Sequence, residues 1–148
     1  MDTDEGREPT RALTESECWE RIHAAPYGRI AVAAADEIDI FPINHGVLEG
    51  MIVFRTSPGT KLLELTIRQR VVFEIDGTDG PEAFSVMVKG VAEEFDRDAD
   101  TLDAENTGAT PWAPEPKDRW VRIHPTTVSG RIFRRRARRV PDHDAQYG

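Results

Sequence analysis

Apolar and polar positions change their period once along this chain, and that change sets the expected architecture. Between residues 13 and 25, Cys18, Trp19 and Ile22 fall on one face at helical spacing. Thr14 followed by Glu17 has the form of a capping box, with Leu13 and Cys18 placed as its hydrophobic staple. Pro26-Tyr27-Gly28 ends that helix. From Arg29 onward the pattern is that of strands, expected over 29–35, 38–44, 51–56, 71–76, 84–95 and 120–133. Tight turns are expected at Asp36-Glu37 and across 46–50, and Pro125 divides the last segment into a strand or a hairpin. Ile38 and Ile40 alternate with Asp39, which implies one wet face. Pro42 lacks a ladder donor and marks an edge or bulge, and Gly90 marks a bulge. The chain therefore reads as mainly β: a six-stranded antiparallel barrel with a few short helices.

The stretch Ile52-Val53-Phe54-Arg55-Thr56-Ser57-Pro58-Gly59-Thr60-Lys61 is the densest in candidate chemistry. A strand runs into two cations, several hydroxyls and a turn. The apolar run Leu62-Leu63-Glu64-Leu65 then starts a short helix. Unpaired backbone N–H groups at a helix start favour an anion, and Arg can grip two phosphate oxygens while Lys adds a point charge. The same residues also suit an ordinary turn into a capped helix with solvated cations.

Composition narrows the classes. A chain of 148 residues matches one domain, and a net charge of −8 argues against a general nucleic-acid surface. The charge is uneven: residues 131–139 hold six Arg, leaving 13 basic and 25 acidic groups before them, a net of −12. Residues 1–12 read as disordered, 13–133 as the domain, and 134–148 as an Arg-rich tail. A short acidic helix is expected over 96–106 and a Pro-rich loop over 107–118 around Trp112. One cysteine excludes an intrachain disulfide, and four histidines without ligand spacing exclude a zinc site. The polar N-terminus is no signal peptide and no run approaches about 20 apolar residues, so a cytoplasmic protein with no membrane contact is expected. There is no Gly-x-Gly-x-x-Gly and no Gly-x-Ser-x-Gly. With no evident side-chain nucleophile or general base, any reactivity points to a bound cofactor.

Several motifs, in order, carry a resemblance. Gly28-Arg29-Ile30-Ala31-Val32, Pro42-Ile43-Asn44-His45, Phe54-Arg55-Thr56 with Gly59-Thr60-Lys61, Ser85-Val86-Met87-Val88-Lys89-Gly90, and Trp120-Val121-Arg122-Ile123 with Ser129-Gly130-Arg131 are similar to the pyridoxamine 5'-phosphate oxidase-like, FMN-binding split-barrel proteins. The likeness spans about residues 13–133 and is closest to their small actinobacterial-type branch. It implies a homodimeric flavoprotein with FMN at the subunit interface, acting as an oxidoreductase on a small molecule it does not identify. A deazaflavin or haem cofactor, or a non-catalytic flavin-binding or interaction module, fits the same fold. By resemblance, Arg55 and Lys61 hold the phosphate, and Thr56 and Thr60 bond its oxygens. Pro42, Ile43 and Asn44 line the isoalloxazine ring, and Ser85 and Val86 face the ring or ribityl chain. Trp112, Trp120 and Arg122 reach the partner subunit's cofactor. An Arg near the pyrimidine edge of the ring would stabilise an anionic reduced flavin.

Overall fold

The computed structural model describes residues 10–67, 69–95 and 119–135. Trp112, the expected acidic helix and Pro-rich loop, and most of the N-terminal segment and Arg-rich tail lie outside them. The elements in order are β1 (Thr10–Ala12), α1 (Glu15–Ala24), β2 (Gly28–Ala34), β3 (Glu37–Ile43), β4 (Gly46–Leu48), β5 (Met51–Thr56), α2 (Lys61–Thr66), β6 (Arg70–Asp79), β7 (Glu82–Phe95) and β8 (Arg119–Arg134). The capping box is formed: Glu17 N donates to Thr14 Oγ1 at 3.1 Å and Thr14 N to Glu17 Oε1 at 3.0 Å. No helix among the described residues is long and apolar enough to cross a membrane.

The mainly β, antiparallel class holds, with eight strands in place of six. The two additions, β1 and β4, have three residues each, too few for a period to show. β1 takes in residues 10–12, read from the sequence as disordered, and pairs Thr10 with Phe133 and Ala12 with Arg131. Pro125 does not divide the last strand. Lys89 pairs with Thr127 and Gly90 with Pro125, so Thr126 is the extra residue of a β-bulge in β8. The missing N–H of Pro125 falls at this irregularity, and Thr126 Oγ1 donates to the Lys89 carbonyl at 3.1 Å. The first tight turn is also displaced by one residue: Ala34 pairs with Glu37, and Ala35 and Asp36 hold φ of 49° and 66°, as a type I′ hairpin requires.

The strand order is β3-β2-β6-β7-β8-β5-β4, with β1 added on β8. Flat, six intervals of about 4.8 Å would part β3 from β4 by roughly 29 Å. Only Asn44 and His45 connect those two strands, and three Cα steps span at most about 11 Å. The sheet must therefore curl until its ends meet, giving a barrel with a seam between β3 and β4–β5. Ile30, Phe54, Phe73, Val86, Val88, Val121 and Ile123 fill the interior. α1 adds Cys18 and Ile22, both fully buried. It closes on β8 at Gly130, where a Cβ would lie 2.9 Å from Cys18 Sγ.

A Cβ at Gly90 would stand 2.2 Å from the His124 carbonyl oxygen, a backbone atom that cannot move aside. Gly90→Ala is expected to destabilise the domain by about 1–3 kcal/mol, read as a lower urea midpoint with an unchanged m-value.

Candidate functional site

Period-2 alternation sends neighbouring residues of β5 to opposite faces. Phe54 points into the core and Arg55 points out. Arg55 lies opposite Trp120 on β8, its guanidinium carbon 5.4 Å from the indole centroid. Trp120 in turn faces Phe95 across the β7–β8 pair, ring centroids 6.3 Å apart. In the next row Arg122 lies between Val53 and Glu93, over the Phe95 ring at 4.9 Å and 3.6 Å from Glu93 Oε1. His124 also bonds Glu93, and that contact, with Arg122 adding to it, holds the Glu93 carboxyl below the usual range. Arg55, Trp120 and Arg122 thus share the outer face of one three-strand ribbon.

The rest of the expected phosphate clamp lies at the strand end. Thr56 is buried, and its hydroxyl is 3.1 Å from that of Thr60. Thr60 caps α2, its Oγ1 accepting from Leu63 N at 3.1 Å. One helix-start donor is therefore taken by the chain itself, and α2 has only six residues. Lys61 reaches across the seam to β3, with Nζ 3.2 Å from Asp39 Oδ1 and 3.5 Å from Glu37 Oε2. The bond to Asp39 raises the Lys61 pKa.

β3 inverts the expected wet face. Ile38 and Ile40 are 79% and 65% exposed, while the Asp39 side chain is 24% exposed with Oδ2 buried and unbonded among the described residues. The physical reason is strand parity. Phe41 and Ile43 pack inward, so Asp39, two and four positions earlier, must follow them. The Ile-Asp-Ile triplet alone suggested the opposite. The inward Phe41 and Ile43 were the signal that could have identified Asp39 as part of the site.

The ring-facing set is dispersed. Pro42 is exposed and pairs with Arg29; Ile43 is in the core; Asn44 is half-buried in the link before His45. Val86 is fully buried in the core, so only its backbone could meet a ligand. Ser85 is half-buried, between Asp76 on β6 and Arg131 on β8. His45 is buried at the seam, its Nε2 2.8 Å from the Ile22 carbonyl oxygen and its ring edge-on to Phe73; burial lowers its pKa.

A cleft of about 380 Å³ opens where α1 ends, between Arg21, Tyr27, Arg29, Asp76 and Phe84. Sequence reasoning did not single it out. Arg29 Nη1 bridges Glu74 at 3.1 Å and Asp76 at 3.0 Å. Burial, reinforced by the neighbouring Asp76 carboxylate, pushes the Glu74 carboxyl up to about 7.

The donor set at the seam fits a ligand that carries both a phosphate and hydroxyls. Lys61 and a hydroxyl pair supply donors there, while Arg55 stands on the outer face of β5, and buried Asp39 Oδ2 is an acceptor lacking a donor among the described residues. Such an orphaned acceptor costs about 1–3 kcal/mol, which a ligand hydroxyl would relieve.

The family model described as pyridoxamine 5'-phosphate oxidase matches residues 14–132. The chain belongs to the pyridoxamine 5'-phosphate oxidase family. Among similar structures, the FAD binding protein of Mycobacterium smegmatis is 38% identical, covers 84% of this chain and 98% of its own, and has a TM-score of 0.76. A Corynebacterium glutamicum protein, named provisionally as a pyridoxamine 5'-phosphate oxidase, is 35% identical over 89% of this chain and 98% of its own, with a TM-score of 0.80. An uncharacterized protein of Mycobacterium tuberculosis is 36% identical over 83 residues, 56% of this chain and 76% of its own length. The two solved structures share the fold of this chain.

Glu74 gives the family member a testable pH signature. Its pKa is raised in the folded state, so between the ordinary glutamate value of 4.5 and about 7 the folded protein holds a proton that the unfolded chain has lost. That contribution to stability is present below 4.5 and falls as pH rises to about 7. Glu74→Gln is expected to flatten this part of the Tm-versus-pH curve and to raise Tm relative to wild type at pH 8. An unchanged slope would reject the raised pKa of Glu74 as a source of pH-dependent stability.

Proposed function

We propose that this chain is a flavin-dependent oxidoreductase that grips the flavin by its phosphate at the barrel seam and acts on a small molecule. The observation that carries the reading is the joined Thr56–Thr60 hydroxyl pair beside Lys61 and the buried Asp39 acceptor. Support comes from the family membership and from the FAD binding protein of Mycobacterium smegmatis, 38% identical over nearly its whole length. The sequence resemblance implies FMN, and the relative's name extends the choice to FAD. A bound flavin supplies hydride or electron transfer. The chain's own residues supply position: Thr56 and Thr60 orient phosphate oxygens, Lys61 balances their charge at the seam, and Arg55 supplies a second cation from the outer face, where Trp120 and Phe95 shield it from water.

The reading includes a homodimer. Ile38 and Ile40 stand exposed on the outer face of β3, with Ala33 and Ala31 opposite them on β2. A second copy would cover this apolar face, and Arg122 and Trp120 would complete the partner's cofactor site.

The absorbance spectrum of the purified protein, before and after adding FMN or FAD, tests the cofactor. Flavin bands near one per chain are expected; a deazaflavin or Soret spectrum would replace the cofactor and keep the fold. Arg55→Ala with Lys61→Ala should weaken flavin binding at least about 100-fold while the far-UV spectrum is kept, two lost charge-assisted contacts being worth roughly 1.5–3 kcal/mol each. Wild-type affinity in that variant would reject the clamp. Ile40→Asp should shift sedimentation from dimer to monomer and lower flavin affinity with it. A dimer that persists would place the interface elsewhere.

A further inference from the structure

The lysine of the proposed clamp is already shared. Lys61 Nζ lies within 3.5 Å of two carboxylates, Asp39 and Glu37. Arg55 lies on the outer face of β5, so at the seam itself Lys61 faces Asp39 and Glu37 as one positive against two negative charges. Arg119, cross-strand from Thr56, is likewise engaged by Glu94. A site built to hold a phosphate dianion has no need of an inward carboxylate on its lysine. Yet β3 commits Asp39 to the inward side while leaving Ile38 and Ile40 to solvent. Asp39 Oδ2 is buried with no hydrogen-bond partner among the described residues, so one oxygen serves Lys61 and the other awaits a donor.

Flavin phosphates differ in the property this arrangement reads. A terminal phosphate monoester, as in FMN, carries a charge of about −1.5 to −2 near pH 7, its second pKa being about 6. Each phosphate of a dinucleotide's diphosphate bridge is bonded on both sides, by one ester and one anhydride link, and carries a single charge. Beside Lys61 shared with Asp39, the extra charge of the monoester meets a carboxylate at a range well inside the Debye length, where solvent and salt leave part of the repulsion unscreened. A singly charged bridging phosphate escapes most of that repulsion. The dinucleotide also brings additional ribose hydroxyls, the donor class that Asp39 Oδ2 lacks.

Resting on the flavin reading above, we propose that Asp39, through Lys61, sets the phosphate specificity of the clamp, favouring the singly charged bridging phosphates of a flavin dinucleotide, as in FAD, over the terminal monoester phosphate of FMN. Glu37 is a weaker contributor, being more exposed and farther from the lysine. Asp39 acts as a specificity-determining residue and takes no part in electron transfer.

Calorimetric titration of the full chain with riboflavin, FMN and FAD at pH 8 tests this without any turnover assay. Wild type is expected to bind FAD more tightly than FMN. Asp39→Asn keeps shape and an acceptor oxygen but removes the charge, and should lower the ratio Kd(FMN)/Kd(FAD) about tenfold with riboflavin affinity unchanged. Glu37→Gln, on an exposed position, should move the ratio the same way by less, and it decides the matter if the Asp39 variant fails to fold. A ratio unchanged in the folded variant, or a wild type that prefers FMN, overturns the assignment to Asp39 and leaves the flavin reading standing. Absence of binding by all three flavins to wild type overturns both.

Discussion

Two residues impose the architecture. Asn44 and His45 must connect strands at opposite ends of a seven-strand path, and the link is too short for any flat or gently twisted sheet. Curling is therefore a covalent requirement, and the apolar interior of Ile30, Phe73, Val88 and Ile123 stabilises the curl that connectivity demands. His45 occupies the tightest part of the link. Burial keeps its imidazole neutral, and its Nε2–H can donate to the Ile22 carbonyl while its ring lies against Phe73. The link thereby fixes α1 against the seam as well as joining β3 to β4.

A seam without a complete hydrogen-bond ladder is where a barrel can offer donors and acceptors to a ligand. The β5–α2 turn reaches the seam from one side with Thr56, Thr60 and Lys61, and β3 reaches it from the other with Asp39 and Glu37. Two carboxylates there face one lysine, unlike the strongly cationic clamp that the linear sequence suggests. Electrostatics at this site are set by which strand faces which across the seam, and the acidic excess of the chain as a whole contributes little at such range. The outer face of β5 and β8 holds Arg55, Trp120 and Arg122 apart from the hydroxyl pair, because neighbouring residues of one strand cannot share a face.

Much of the fold was legible. The capping box at Thr14 and Glu17, the long strand ending at Phe95 and the irregularity at Gly90 follow from local chemistry, and all are present. Three-residue strands carry no period, so β1 and β4 were not visible. Pro125 was misleading because a missing donor breaks a regular ladder but is harmless at a bulge. Of the candidate site, the sequence marked Thr56 and Thr60, whose hydroxyls meet, and Lys61, whose amine turns to Asp39 and Glu37 on β3. Ile43, expected to line a ring through its backbone, and Val86 have their side chains in the core, which leaves them backbone groups to offer. Asp39 was hidden because its two isoleucine neighbours suggested the opposite parity.

By itself the sequence determined the class of fold, its antiparallel character and its local caps and irregularities, since these depend on period, turn chemistry and side-chain type over a few residues. Only the tertiary structure decided which charges meet. Lys61 and Asp39 are 22 positions apart, and Arg29 on β2 meets Glu74 and Asp76 on β6. Their pairing depends on register, on strand parity and on how far the sheet curls. Those are properties of the closed barrel as a whole, and a one-residue slip in any strand would reverse them.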